Sequence, residues 1–211
     1  PVRCVSRMSK AHVTDLSDYQ TANSYMVSKK GFYKFKATVN VDGLNIYSDP
    51  TISLANPIGS PLLEELAVGK KTCTIIISDH TRPVPSRDIL PPMLAALRKG
   101  NPDIAITLLV ATGFHRLTTR EELVSKLGQE IADSERIVIH DAFNADSNVQ
   151  IGVLPSGAPL VIDRAAVETD LLISEGFIEP HFFAGFSGGR KSVLPGVCDK
   201  KTVLGNHCGE F

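Results

Sequence analysis

Residues 72–99 read TCTIIISDHTRPVPSRDILPPMLAALRK, and this stretch decides the fold. It opens on a short β-branched run that closes at Ser78, the pattern of a buried strand. A polar loop, DHTRPVPSR, follows at residues 79–87. Over residues 88–99 the apolar side chains Ile89, Met93, Leu94 and Leu97 recur at helical spacing, with basic residues at the end and Gly100 beyond. Strand, loop and helix in that order form the unit of a parallel sheet with crossover helices.

The unit repeats. Residues 104–111 (IAITLLVA) are a second buried-strand pattern, and the polar loop TGFHR follows it. Residues 119–127 read as a helix, with Thr119 as N-cap, Glu122 three residues on and Gly128 as the stop. Residues 136–140 are a third short strand, and residues 171–174, after the helical DRAAVETD, are a further one. The predicted fold class is α/β with a parallel sheet and crossover helices. Ligands of open α/β sheets lie at the carboxyl ends of the strands, so the loops 79–82, 113–116 and 175–191 are expected to converge on one edge. Residues 1–50 differ. Residues 31–46 alternate apolar and polar side chains around Asp42-Gly43, a hairpin signal, so a β-hairpin preceded by an N-terminal arm is expected ahead of the α/β domain at 51–211. His12, in the arm, reads as a solvated surface residue.

With 211 residues and 43% hydrophobic composition, the chain can bury the core of one domain, or of a large domain with an appendage. A formal net charge of -1 argues against nucleic acid or a membrane surface as partner. No apolar run approaches the roughly 20 residues of a membrane helix, and the opening residues do not read as an export signal. Cys4, Cys73, Cys198 and Cys208 are scattered, with no C-x-x-C pair. Cys73 reads as a buried thiol. Cys198 and Cys208 flank the candidate site, but no second ligand pair has zinc spacing, which disfavours a metal-thiolate role. A reduced, cytoplasmic protein is expected.

The densest chemistry lies at residues 174–196, SEGFIEPHFFAGFSGGRKSVLPG, with His207 a few residues on. His181, the glycines 185, 188 and 189, Arg190 and Lys191 offer an imidazole, two cations and bare backbone amides, a set that can hold an anionic cofactor and perform acid–base work beside it. His181, between Pro180 and two phenylalanines, stands where desolvation favours the neutral ring. Lys191 reads either as a phosphate-binding lysine or as a covalent attachment point, and spacing does not decide. His207 offers one metal ligand, and a single histidine does not make a metal site. GGRKS approaches the phosphate-loop pattern without meeting it, and neither Ser187 nor Ser192 has the setting of a hydrolase nucleophile. Asp79-His80-Thr81-Arg82, at a strand end and stiffened by Pro83 and Pro85, suits a phosphate with Arg82 as bidentate clamp, or equally an Asp–Arg pair in a surface turn. Local features favour packing or capping for His115, and a loop-orienting structural role for His140.

Together SDHTRPVPS, ATGFHR, SEGFIEPHFFAGFSGGRKSVLPG and the terminal NHCGEF resemble the N-terminal half of the lactate racemase family, in order and with family-like spacing. The segment ISLANPIGSPLLEELAVGK extends the likeness, which runs from about residue 52 to 211. The resemblance implies a racemase that interconverts enantiomers of a 2-hydroxy acid, lactate in the first place. It implies hydride transfer to and from a nickel pincer nucleotide (nickel pyridinium-3,5-bisthiocarboxylic acid mononucleotide). It further implies that Asp79, His80, Thr81 and Arg82 contact the nucleotide, including its phosphate. Lys191 would carry the cofactor through a thioamide, His207 would ligate nickel, and His115 and His181 would be the paired acid–base residues. Cofactor-synthesis proteins are the implied partners beside the small-molecule substrate.

The same scaffold serves racemases or epimerases of other 2-hydroxy acids. A non-catalytic nucleotide- or phosphate-binding module is the alternative from another class, and His115, His181, Lys191 and His207 together argue against it. A metal-dependent hydrolase lacks a ligand cluster. Family members carry a second, C-terminal α/β domain that closes over the site, and the resemblance implies that this domain lies outside the 211 residues.

Overall fold

The computed structural model describes residues 38–41, 44–47, 50–178, 180–181 and 185–207, with backbone alone at 38–41, 44–47, 52, 180–181 and 185–186. Cys4, His12, Cys208 and the Asp42-Gly43 turn lie outside the described residues, as does the side chain of His181. The chain divides into two compact units between Leu62 and Leu63. In the first, β1 (Thr38–Val41) pairs antiparallel with β2 (Leu44–Tyr47), Val41 opposite Leu44, which is the expected hairpin. Helix α1 (Pro50–Ala55) follows.

In the second unit, helix α2 (Leu63–Ala67) leads into β3 (Thr72–Ser78), the expected first strand of the α/β domain. Residues 73–77 of β3 are all buried, and residues 106–110 of β4 (Ala105–Ala111) likewise. A strand covered on both faces needs apolar side chains at every position, hence the continuous runs rather than alternation. Helix α3 (Ser86–Gly100) crosses from β3 to β4. After β4 come α4 (Arg120–Leu127), α5 (Gln129–Ser134) and β5 (Arg136–Ile139). Strand β8 (Leu171–Ser174) completes a four-stranded parallel sheet in the order β5-β4-β3-β8.

Local chemistry sets the helix ends. Thr119 and Glu122 form the capping box: the Thr119 side chain accepts from the Glu122 amide at 3.4 Å, and the Thr119 amide donates to Glu122 Oε2 at 2.8 Å. Gly128, at φ 89°, ends α4 and is also the residue from which α5 starts. One expectation changes here. The segment DRAAVETD holds only a single helical turn, α6 (Arg164–Val167), because its first residue belongs to a strand. That strand, β7 (Pro159–Asp163), pairs antiparallel with β6 (Asn148–Val153). Asp163 then caps α6 by accepting from the Ala165 amide at 2.9 Å. The last helix, α7 (Lys200–Asn206), is capped by Asp199 in the same manner, through the Lys201 amide at 2.7 Å.

The structural role expected of His140 is observed. Its ring is fully buried between Asp163 Oδ2, 3.0 Å from Nδ1, and the Cys198 carbonyl, 2.9 Å from Nε2. The Cys198 carbonyl only accepts, so Nε2–H donates to it, and Nδ1 shares the hydrogen bond with Asp163 Oδ2. The contact ties β5 to β7 and to the segment before α7, over a core of Ile76, Leu109, Ile162, Val197 and Val203. Cys73 and Cys198 are buried free thiols, and burial pushes each up to about 12. Among the described residues, no helix is long and apolar enough to cross a membrane.

Removing the His140 ring leaves the buried Asp163 carboxyl and the Cys198 carbonyl without their partner. His140→Ala is therefore expected to destabilise the fold by about 3–5 kcal/mol, seen as a lower urea midpoint with an unchanged m-value.

Candidate functional site

The strands β3, β4 and β8 run in parallel and end at one edge, Ser78 opposite Ala111 and Ile76 opposite Ser174. The three loops expected to converge there do so, lining a cavity of about 700 Å³. That size is ordinary for a pocket holding a small ligand.

Asp79 follows β3 directly and is almost fully buried. Its Oδ1 accepts from the Thr81 amide at 3.1 Å and from the Thr81 hydroxyl at 2.7 Å. Its Oδ2 lies 2.7 Å from Nδ1 of His115. A carboxylate only accepts, so the proton sits on Nδ1 and the lone pair on Nε2. The His115 side chain is 45% exposed, so its far edge reaches the cavity while its near edge is held from below. His80 turns elsewhere: its Nδ1 is 3.1 Å from Thr118 Oγ1 and 3.7 Å from Glu122 Oε2. Neither His80 nor Thr81 borders the cavity, whereas Arg82 does. Glu122 is held down at about 2, chiefly by its hydrogen bond from Arg116, with help from the Thr119 amide.

Lys191 lies in a 3₁₀ turn (Gly189–Ser192) that only glycine at position 188 permits. Gly188 has φ 73°, and a Cβ there would meet the Phe177 carbonyl oxygen at 2.6 Å. Opposite, a Cβ on Gly176 would touch Gly188 Cα at 3.7 Å, so two bare backbones bring the turn against the end of β8. Burial lowers the pKa of Lys191, and the nearby Arg82 lowers it further. Lys191 and Arg82 both border the cavity.

His207 caps the C-terminal end of α7 and borders the same cavity. Its Nδ1 donates to the Val203 carbonyl at 3.1 Å, so Nε2 is the nitrogen that could ligate a metal. Among the described residues, no group of three or more His, Cys, Asp or Glu side chains could hold a metal. For His181 the backbone is placed: β9 (Pro180–His181) pairs antiparallel with β10 (Gly185–Phe186), His181 opposite Gly185.

One residue of this site carried no weight in the sequence reading. Glu175 follows β8 directly, is 5% exposed and borders the cavity. Its Oε1 accepts from the Ser86 hydroxyl at 2.5 Å. Burial raises its pKa, against the Ser86 hydrogen bond, the Lys126 charge and the Ser78 amide, which favour the ionised form. Lys126 is itself shifted down by burial, with Glu175 and Asp79 acting the other way, and its Nζ donates to the Arg82 carbonyl at 3.1 Å. An acid immediately after an apolar strand, at the ligand edge of a parallel sheet, was the available signal.

Residues 50–211 match the family model of the lactate racemase N-terminal domain. The lactate racemase of Lactiplantibacillus plantarum is 61% identical over 159 residues, which is 75% of this chain and 38% of that protein. The lactate racemase of Thermoanaerobacterium thermosaccharolyticum is 50% identical over 197 residues, 93% of this chain and 44% of that protein. The solved lactate racemase apoprotein from Thermoanaerobacterium thermosaccharolyticum superposes with a TM-score of 0.76 at 53% identity, covering 77% of this chain and 39% of that one. A Thermotoga maritima protein of solved structure gives a TM-score of 0.63 at 26% identity, covering 75% and 40%. The chain thus spans less than half the length of the curated relatives it matches. On this match the chain belongs to the lactate racemase N-terminal domain family.

Proposed function

We propose that this chain is the cofactor- and histidine-bearing part of a racemase that interconverts the enantiomers of lactate on a nickel pincer nucleotide. The observation that carries this reading is one cavity bordered by a carboxylate-oriented His115, by Lys191 with its lowered pKa, and by His207 with Nδ1 held by the Val203 carbonyl. The cavity's residues suit the nucleotide. Arg82 and Lys191 favour an anionic ligand, and the Gly176–Gly188 approach leaves bare backbone beside it. Among the described residues no cluster of three or more ligating side chains stands at His207, which suits an organic group that brings nickel ligands of its own.

On this reading Lys191 would carry the nucleotide through a thioamide, His207 would ligate the nickel, and Arg82 would hold the phosphate with Asp79, His80 and Thr81 supporting that loop. When bound, the nucleotide supplies a pyridinium carbon that reversibly takes up hydride. The α-hydrogen of a 2-hydroxy acid is a poor acid beside its carboxylate, so departure as hydride avoids a carbanion. The hydroxyl proton must leave in the same event, and Nε2 of His115 accepts it while Asp79 Oδ2 steadies the imidazolium through Nδ1–H. For the opposite enantiomer His181 would be the second acid–base group, holding or returning the hydroxyl proton. A module that merely held a nucleotide would need no buried carboxylate orienting an imidazole at the cavity. Partners on this reading are the 2-hydroxy acid and the proteins that make the cofactor. A reducing, cytoplasmic setting accords with the free thiols of Cys73 and Cys198.

Attachment requires Lys191 as the neutral amine. Burial and the Arg82 charge both disfavour its ammonium form, so competitive acetylation should give Lys191 a lower midpoint than exposed lysines, and Arg82→Ala should raise that midpoint. In protein loaded by co-expression with the cofactor-synthesis enzymes, peptide mass spectrometry should find the adduct on Lys191 and lose it in Lys191→Ala. His207→Ala should lower the nickel retained after dialysis without lowering the melting temperature. The decisive assay follows each enantiomer separately in loaded enzyme. His115→Ala and His181→Ala should each lose about 100- to 10,000-fold in both directions, because every turnover uses both rings; a near-parent rate in either direction would assign that histidine a structural role.

A further inference from the structure

The loop that brings Arg82 to the cavity is short of donors of its own. Pro83 and Pro85 have no amide proton to give. The Arg82 amide donates back to the Asp79 carbonyl at 3.3 Å, and the Ser86 amide to the Val84 carbonyl at 2.9 Å. The Arg82 guanidinium borders the cavity, and its Nη1 meets Thr81 Oγ1 at 3.4 Å, too long for a strong hydrogen bond. The place of that guanidinium is therefore set by its backbone rather than by a grip on its head.

A second element supplies the missing donors. Lys126, in the last turn of α4, lies half-buried instead of reaching into solvent. Its Nζ donates to the Arg82 carbonyl at 3.1 Å and lies 3.5 Å from the Val84 carbonyl, so it grips the chain on both sides of Pro83. An ammonium suits this task, with three donors in one head and no acceptor to satisfy. The buried Asp79 and Glu175 favour its charge against the cost of burial. Lys126 does not border the cavity, whereas Asp79, Arg82, Glu175 and Lys191 do.

We propose that Lys126 is a positioning residue: by holding the loop on both sides of Pro83 it places the Arg82 guanidinium for a phosphate, and so sets the preference for phosphorylated ligands. The inference rests on the nucleotide reading proposed above, with Arg82 at the phosphate. A guanidinium binds phosphate best through two parallel N–H···O bonds, so a displaced backbone forfeits that geometry even though the charge remains. Two other roles open to a buried cation make different demands. A direct phosphate ligand would have to border the cavity. A mere counter-ion for Asp79 and Glu175 would affect phosphorylated and unphosphorylated ligands alike.

The test measures dissociation constants by titration calorimetry on the intact protein, with nicotinic acid mononucleotide and nicotinic acid riboside as probes. The unmodified protein should prefer the mononucleotide by about 10-fold or more. Lys126→Met should remove most of that preference while leaving riboside affinity unchanged, and Lys126→Arg, which keeps charge and donors, should retain it. Arg82→Ala should abolish the preference, and adding Lys126→Met to it should cost nothing more, since the lysine acts through the arginine. Should Lys126→Met not fold, Lys126→Gln carries the same comparisons, because it loses the charge and the reach but keeps a polar head. Additive losses in the double variant, an equal loss for both probes, or an unchanged preference overturns the positioning role alone. Equal binding of the two probes by the unmodified protein removes Arg82 from the phosphate and the positioning role with it. Failure of the unmodified protein to bind either probe overturns the nucleotide reading itself.

Discussion

Strand β3 hydrogen-bonds in parallel to β4 along its whole length and to β8 from Cys73 to Ile76. Parallel pairing puts like ends together, so the residues that follow each strand emerge at one edge. The register then fixes which residues meet. With Ser78 opposite Ala111, the Asp79 carboxylate and the turn carrying His115 leave the sheet at the same level. A slip by one residue would turn every side chain of β3 to the opposite face and take Asp79 away from His115. The unbroken apolar runs of β3 and β4 hold that register, because both faces of both strands are buried.

The cavity's charges divide by role. Asp79 and Glu175 are buried and acidic; Arg82, Lys126 and Lys191 surround them. Lys126 sits close enough to both acids to favour their ionised forms while its own burial disfavours its charge, and it spends its hydrogen bonds on the carbonyls of Arg82 and Val84. It therefore neutralises from behind and props the Arg82 loop. The cations that border the cavity are Arg82 and Lys191, so an anionic ligand meets them rather than the carboxylates. The carboxylates are left to accept: Asp79 from protein donors, Glu175 in part from Ser86.

Much of this was legible in the sequence, and the reasons differ element by element. The 72–78 and 104–111 runs announce themselves because burial on both faces leaves no polar position to confuse the pattern. The Thr119–Glu122 box and Gly128 are legible because capping is local chemistry. Helix α3 starts at Ser86, two residues ahead of the reading from residue 88, since Ser86 is spent on Glu175 rather than on capping. The β6–β7 hairpin escaped notice because its pattern is uninformative: Ile151 and Val153 are apolar yet exposed. The Asp79–His115 contact spans 36 residues, and no local signal encodes it. It exists only through the β3–β4 register.

Lys191, His207 and His115 stand on three different elements, so something must hold their separation. The segment between the 3₁₀ turn and α7 does so. The Gly113 amide, in the His115 loop, donates to the Gly196 carbonyl at 2.8 Å. The Asp163 amide donates to the Val197 carbonyl at 2.9 Å, and the Asp199 amide to the Val161 carbonyl at 3.0 Å, stitching the same segment to β7. His140 closes the arrangement by donating to the Cys198 carbonyl from the end of β5. The Lys191 turn and the His207 helix are thus fixed on opposite sides of a short stretch pinned to the sheet, to β7 and to the loop of His115. A histidine that does not itself border the cavity thereby helps to set the spacing of the lysine and histidines that do, and its burial beside Asp163 is the structural cost of that rigidity.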